Sequence, residues 1–129
     1  MASLSDYAET KILGHMLDAV AWTSPPSVWV SLYTDAVGDD DSGTELSGDN
    51  YARVQMTGGF TVTGDTATNT AIVTFPTASG DWGTVTNAGI HDAATNGNLL
   101  THAALTASKL VETDDTFEIA IGSLSVTMA

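Results

Sequence analysis

The sequence predicts an all-β fold: an antiparallel, jelly-roll-like β-sandwich of about eight strands, preceded by one N-terminal α-helix. Three observations carry this. Apolar residues recur at helical spacing only over residues 6–20. After Pro25-Pro26 the period becomes two and stays so through the rest of the sequence. Clusters of Gly, Asn and Asp punctuate the alternating rows, as turns between short strands require.

The helix comes first. Ala8, Ile12, Met16 and Val20 form one i, i+4 row, and Leu13 and Leu17 widen it into an apolar stripe of the kind that packs on a core. Ser5 or Asp6 can cap it, and Asp6 and Glu9 place acid in the first turn, where the helix dipole favours it. Pro25-Pro26 guarantees that it has ended.

The strands follow in order. Val28, Val30 and Leu32 alternate with Trp29, Ser31 and Tyr33. The second row is expected to be buried under the helix, although it could instead line a carbohydrate or protein contact. Ala52, Val54 and Met56 alternate next, then Phe60 and Val62, then Ala71, Val73 and Phe75. Val85–Ile90 and Leu99–Leu105 read as a pair joined by Asn96-Gly97-Asn98. Phe117, Ile119 and Ile121 form another row, and Leu124, Val126 and Met128 the last. Thr on the alternate positions suits exposed strand faces. Between Phe75 and Ala93 a strand ends at a proline, and a Gly-rich turn carries one large aromatic, Trp82. The chain is read as one domain over 1–129, with the helix at 6–20 and the sandwich at 27–129.

Charge excludes several partners. Three Lys and Arg stand against sixteen Asp and Glu, for a net charge of −13. The cations are Lys11, Arg53 and Lys109. They cannot form the basic stripe that nucleic acid needs, and an anionic membrane surface repels such a chain. The balance fits either an ordinary acidic soluble protein or one adapted to saline surroundings. No apolar run approaches a bilayer span, and Met1–Asp6 lacks the basic and apolar regions of a signal peptide, so neither is expected. Without Cys there is no disulfide and no thiolate metal site.

No catalytic constellation is legible. His15 lies in no H-E-x-x-H pattern, and no G-x-S-x-G elbow exists for a nucleophilic serine. His91 and Asp92 are adjacent, so on a strand they point to opposite faces. His102 could share a face with Leu100. The chain is therefore read as non-enzymatic and without a required cofactor. The long irregular segment Asp35–Asn50 is a binding loop or a mobile solvated one. Asp39, Asp41 and Glu45 alternate within it and form a weak calcium candidate, because hard oxygen ligands suit that ion. The EF-hand order is not met.

Several segments together resemble a family of small tailed-bacteriophage virion proteins often labelled tail fibre protein, and are similar to head cement or decoration subunits. They are residues 5–15, Tyr51-Ala52-Arg53-Val54, residues 72–78, residues 82–93, Gly97-Asn98-Leu99-Leu100 and Leu105-Thr106-Ala107-Ser108-Lys109. The acidic Asp39-Asp40-Asp41 run is not part of the pattern. The resemblance implies a virion structural protein. The first expectation is a cement protein, a homotrimer bound to the major capsid protein on the outer head surface. The alternative is a tail fibre or baseplate-associated protein that touches a receptor. The residues expected at its contacts are Tyr7, Lys11, Arg53, Trp82 and Lys109.

Overall fold

The structure, a computed structural model, describes residues 2–56 and 58–128. Among these residues one helix and ten strands follow in the order β1 (Ser3–Leu4), α1 (Asp6–Leu17), β2 (Val28–Tyr33), β3 (Val54–Met56), β4 (Phe60–Thr63), β5 (Thr66–Asn69), β6 (Val73–Thr74), β7 (Gly83–His91), β8 (Leu99–Val111), β9 (Glu118–Ile119) and β10 (Ser125–Thr127). They form three antiparallel sheets: β1-β8-β7-β2-β3, β10-β5-β4 and β6-β9. The fold is the predicted jelly-roll-like β-sandwich with an N-terminal helix.

The alternation read from sequence builds the core. Val30 and Leu32 of β2, Val85 and Ala88 of β7 and Val111 of β8 face Val73, Phe75, Phe117 and Ile119 from the small sheet and its flanks. Phe60 and Leu124 bring the three-stranded sheet onto the same cluster. Phe75 meets Phe117 edge to face at 5.8 Å and stacks on Tyr51 at 6.3 Å. Aromatic pairs in these geometries add to the area they bury.

Two strands escaped the sequence reading. β1 has two residues, and β5 reads Thr66-Ala67-Thr68-Asn69, too polar to show an apolar row. What fixes β5 is Asn69, which is buried. Its amide donates to the carbonyls of Ala71 and Ala120, and its Oδ1 accepts from the Leu124 backbone. An Asn whose donors and acceptor are satisfied locks the turns leading into β6 and β10. The expected rows at 71–75 and 117–121 shorten to β6 and β9, while β8 runs on to Val111.

The helix differs from expectation at its end and on its face. Ser5 caps it, accepting from Ala8 N–H and donating to the Leu99 carbonyl. It stops at Leu17: Asp18 is the C-cap, and Ala19 turns left-handed at φ +53°. The stripe does not bury. Ala8 is the buried residue of α1, whereas Leu13, Met16 and Leu17 face solvent, as does Val20 beyond the helix end. The facing sheets already fill the core, so the helix lies at the sheet edge, joined to β1 and β8 through its first turn.

The β7–β8 pair carries the largest irregularity. Val85 pairs with Lys109 and Asn87 with Ala104, so residues 105–108 of β8 stand against Thr86 alone. Such a bulge bends the strand away from its partner.

Candidate functional site

The segment after β2 folds back over the second face of that strand as a lid. Val37 is buried in a small cluster with Tyr33 and Leu99. Gly38 and Asp41 adopt positive φ, and Gly43 N–H closes the turn onto the Val37 carbonyl at 2.8 Å. Glu45 forms a bridge to Tyr33, and Leu46 N–H reaches the Leu32 carbonyl. Ser31 and Tyr33, on the second face of β2, are thus buried as expected, but under this loop rather than under the helix. Trp29, at the start of the same row, is half-buried. The helix meets the lid where Asp6 N–H donates to the Asp39 carbonyl at 2.9 Å.

Beneath the lid lies a directed chain of hydrogen bonds. The Tyr33 hydroxyl donates to Asp41 Oδ1 at 3.2 Å. Having given its one proton, it accepts from His91 Nε2 at 3.3 Å. His91 Nδ1 is then the acceptor for the Ser31 hydroxyl, 3.0 Å away. The geometry assigns the Nε2–H tautomer. Burial, reinforced by the nearby positive charge of Arg53, pushes the His91 pKa down against the pull of Asp41 and Glu45. Burial, then Asp41, pushes Tyr33 well above the usual phenol range. Gly89 makes room for this chain: a Cβ there would stand 2.9 Å from Ser31 Oγ and 3.1 Å from Tyr33 Cε2.

Ser, His and Asp meet here, yet the arrangement is not a nucleophile. Ser31 is 0 % exposed, so no substrate carbonyl can reach its hydroxyl. A neutral buried imidazole has a consequence for stability instead. Unfolded His91 takes a proton near its ordinary pKa of about 6.5, and the folded imidazole resists it. Its stabilising contribution is complete above that pH and is lost as pH falls toward the depressed folded value. Between pH 7.5 and 5.5, the melting temperature is expected to fall more in the wild type than in His91→Asn. Parallel profiles would overturn this assignment of the buried proton.

Arg53 organises the next layer. Its Nε and Nη2 grip Glu45 at 2.8 and 2.7 Å, and its Nη1 donates to the carbonyls of Ala93 and Asn96 at 2.9 and 2.8 Å. The Tyr51 hydroxyl adds a third bond to Glu45 at 2.8 Å while accepting from Leu32 N–H. Burial pushes Glu45 upward, but the bonds from Arg53 and Tyr51 outweigh it and hold the carboxyl below its usual range. Burial likewise opposes the charge on Arg53, and Glu45 outweighs it, raising the guanidinium further. The side chain is 8 % exposed. Arg53 therefore joins the lid, the entry to β3 and the β7–β8 turn within one chain.

The other singled-out residues scatter. Trp82 is buried, not displayed on its turn: its ring meets Tyr51 edge to face, and its Nε1 donates to the Asp49 carbonyl. Tyr7 is half-buried, edge-on to Trp22 at 6.4 Å, and Lys11 Nζ lies 5.5 Å above its ring. The three calcium candidates diverge to separate partners: Asp39 to His102 Nε2 at 2.7 Å, Asp41 to Tyr33, and Glu45 to Arg53. Among the described residues no group of three or more His, Cys, Asp or Glu is placed to hold a metal ion. His15 sits exposed in the last turn of α1.

Lys109 is exposed on the rim of a groove of about 450 Å³ beside the β8 bulge. Leu105 and Ala107 of the bulge form one wall, and Phe117, Ile119 and Leu124 the other. The outer end of α1 is a second place where apolar side chains are exposed, as Val62, Ile72, Leu110 and Ile121 are elsewhere on the sheets. Sequence reasoning missed the groove, because the bulge that opens it leaves no mark in the alternation.

Residues 3–127 match the family described as podophage GP4 fiber I protein gp80. No curated protein matches the chain.

Proposed function

The chain belongs to the podophage GP4 fiber I protein gp80 family and is a phage virion structural protein, and from that premise we propose that it is a passive assembly part of the fibre apparatus, built into the particle as a homo-oligomer. One observation carries the fibre assignment: the matched family is described as a fibre protein, and the match spans nearly the whole chain. The interior supports a passive role. His91, weighed as possible chemistry in the sequence, is buried with Ser31 and Tyr33 beneath the loop that closes over them.

A second reading places the chain on the outer head surface as a cement protein bound to the major capsid protein. What favours it is the kind of surface displayed. Of the aromatics that a receptor-sugar contact could use, Trp82 lies in the core and Trp29 is half-buried, whereas apolar aliphatic residues are exposed. That surface suits docking to protein. A homotrimer fits the local threefold positions of a shell, and such contacts bury roughly 1,200–2,000 Å² in total.

Copy number in purified virions separates the two. Quantitative mass spectrometry against the major capsid protein is expected to find few copies, or tens, per particle. A ratio near one-to-one would overturn the fibre assignment in favour of cement. Absence from the particle would overturn both.

A further inference from the structure

Two exposed features of this chain complement each other. The first is the outer end of α1, where Leu13, Met16 and Leu17, with Val20 just beyond, are exposed at 53, 64, 78 and 49 %. Side chains of this size, at i, i+3 and i+4 positions, make a patch of the few-hundred-Å² order that marks an interaction site. The second is the groove beside the β8 bulge, lined by Leu105 and Ala107 and by Phe117 and Ile119.

We propose that the exposed end of α1 of one copy seats in the β8-bulge groove of a second copy. Charge selects this occupant. In a chain of net charge −13, a partner copy is repelled from most of the surface. Arg53 is bound internally and Lys11 lies over Tyr7, so Lys109 is the cation left for an acidic partner among the described residues. It stands on the groove, with Glu118 beside it. The helix brings the matching charge: exposed Asp18 follows Leu17 directly. The contact rests on the reading that the protein assembles with itself.

Sedimentation velocity on the purified full chain, in salt high enough to screen self-repulsion, tests it. The wild type is expected to associate. Leu17→Glu and Lys109→Glu are each expected to weaken association at least tenfold, with unchanged melting temperatures because both sites are exposed. Mixing the two variants is expected to recover a complex, since one retains the groove and the other the helix end. A monomeric wild type, a Lys109→Glu chain that associates normally, or a mixture that stays monomeric would each overturn the contact. A chain that self-associates through these sites but is absent from virions would overturn the virion role and leave the contact standing.

Discussion

Arg53→Ala is expected to destabilise the fold by about 3–5 kcal/mol, the range for stranding one partner of a buried ion pair. The guanidinium makes two bonds to Glu45 and two to backbone carbonyls of the β7–β8 turn. Its removal leaves the Glu45 carboxylate, 24 % exposed, with Tyr51 as its remaining partner, in a chain already rich in acid. Domains of this kind are stable by about 5–15 kcal/mol, so the loss is a large share. Urea unfolding gives the number. Amide exchange gives its location: protection should fall together over residues 35–50 and 92–98, the two segments that Arg53 joins. Arg53→Lys is expected to recover little, because a point charge cannot reproduce the two-pronged grip. Arg53→Met with Glu45→Leu should recover more, since no charge is then stranded. A loss under about 1 kcal/mol with unchanged exchange would refute the clamp.

Trp82→Ala is expected to cost about 3–5 kcal/mol, as large-to-small changes of buried aromatics do. The indole is 6 % exposed and packs edge to face with Tyr51 at 5.5 Å. Its Nε1 ties the end of the lid through the Asp49 carbonyl at 2.9 Å, and its backbone N–H ties the end of β8 through Val111. Trp82→Phe keeps much of the ring but drops the bond to Asp49, and should cost about 1–3 kcal/mol. The same unfolding series reads both. If Trp82→Ala melts with the wild type, the residue is not a core post, and an outward-facing role returns.

The strands were legible where alternation was strong. Val28, Val30 and Leu32 alternate over a strand that the structure forms at Val28–Tyr33, with Val30 and Leu32 in the core. Ser5 was legible as a cap because its hydroxyl offers what an exposed helix N-terminus lacks. The helix stripe misled, because periodicity reports that a face is apolar and not that something covers it. The lid misled differently. Its one deep anchor, Val37, is a single apolar residue in an acidic run, and the Gly turns that fold it inward are indistinguishable from those of a free loop. Arg53 and Trp82 stand out in the sequence, but what they hold together does not. Their partners lie far along the chain, Arg53 reaching Asn96 and Trp82 reaching Asp49, and no local pattern records such pairings.

The cap on α1 also sets an order of events during synthesis. Ser5 donates to the carbonyl of Leu99, which follows it by 94 positions. At about 5–20 residues per second, that partner emerges roughly 5–20 seconds later. Until then β1 has no β8 to pair with, since Ser3 and Leu4 meet His102 and Thr101. The helix, made before the strands it is fastened to, is thus among the last elements to be tied down, and before and after that its leucines are open to whatever lies nearby, including the nascent chain of a neighbouring copy.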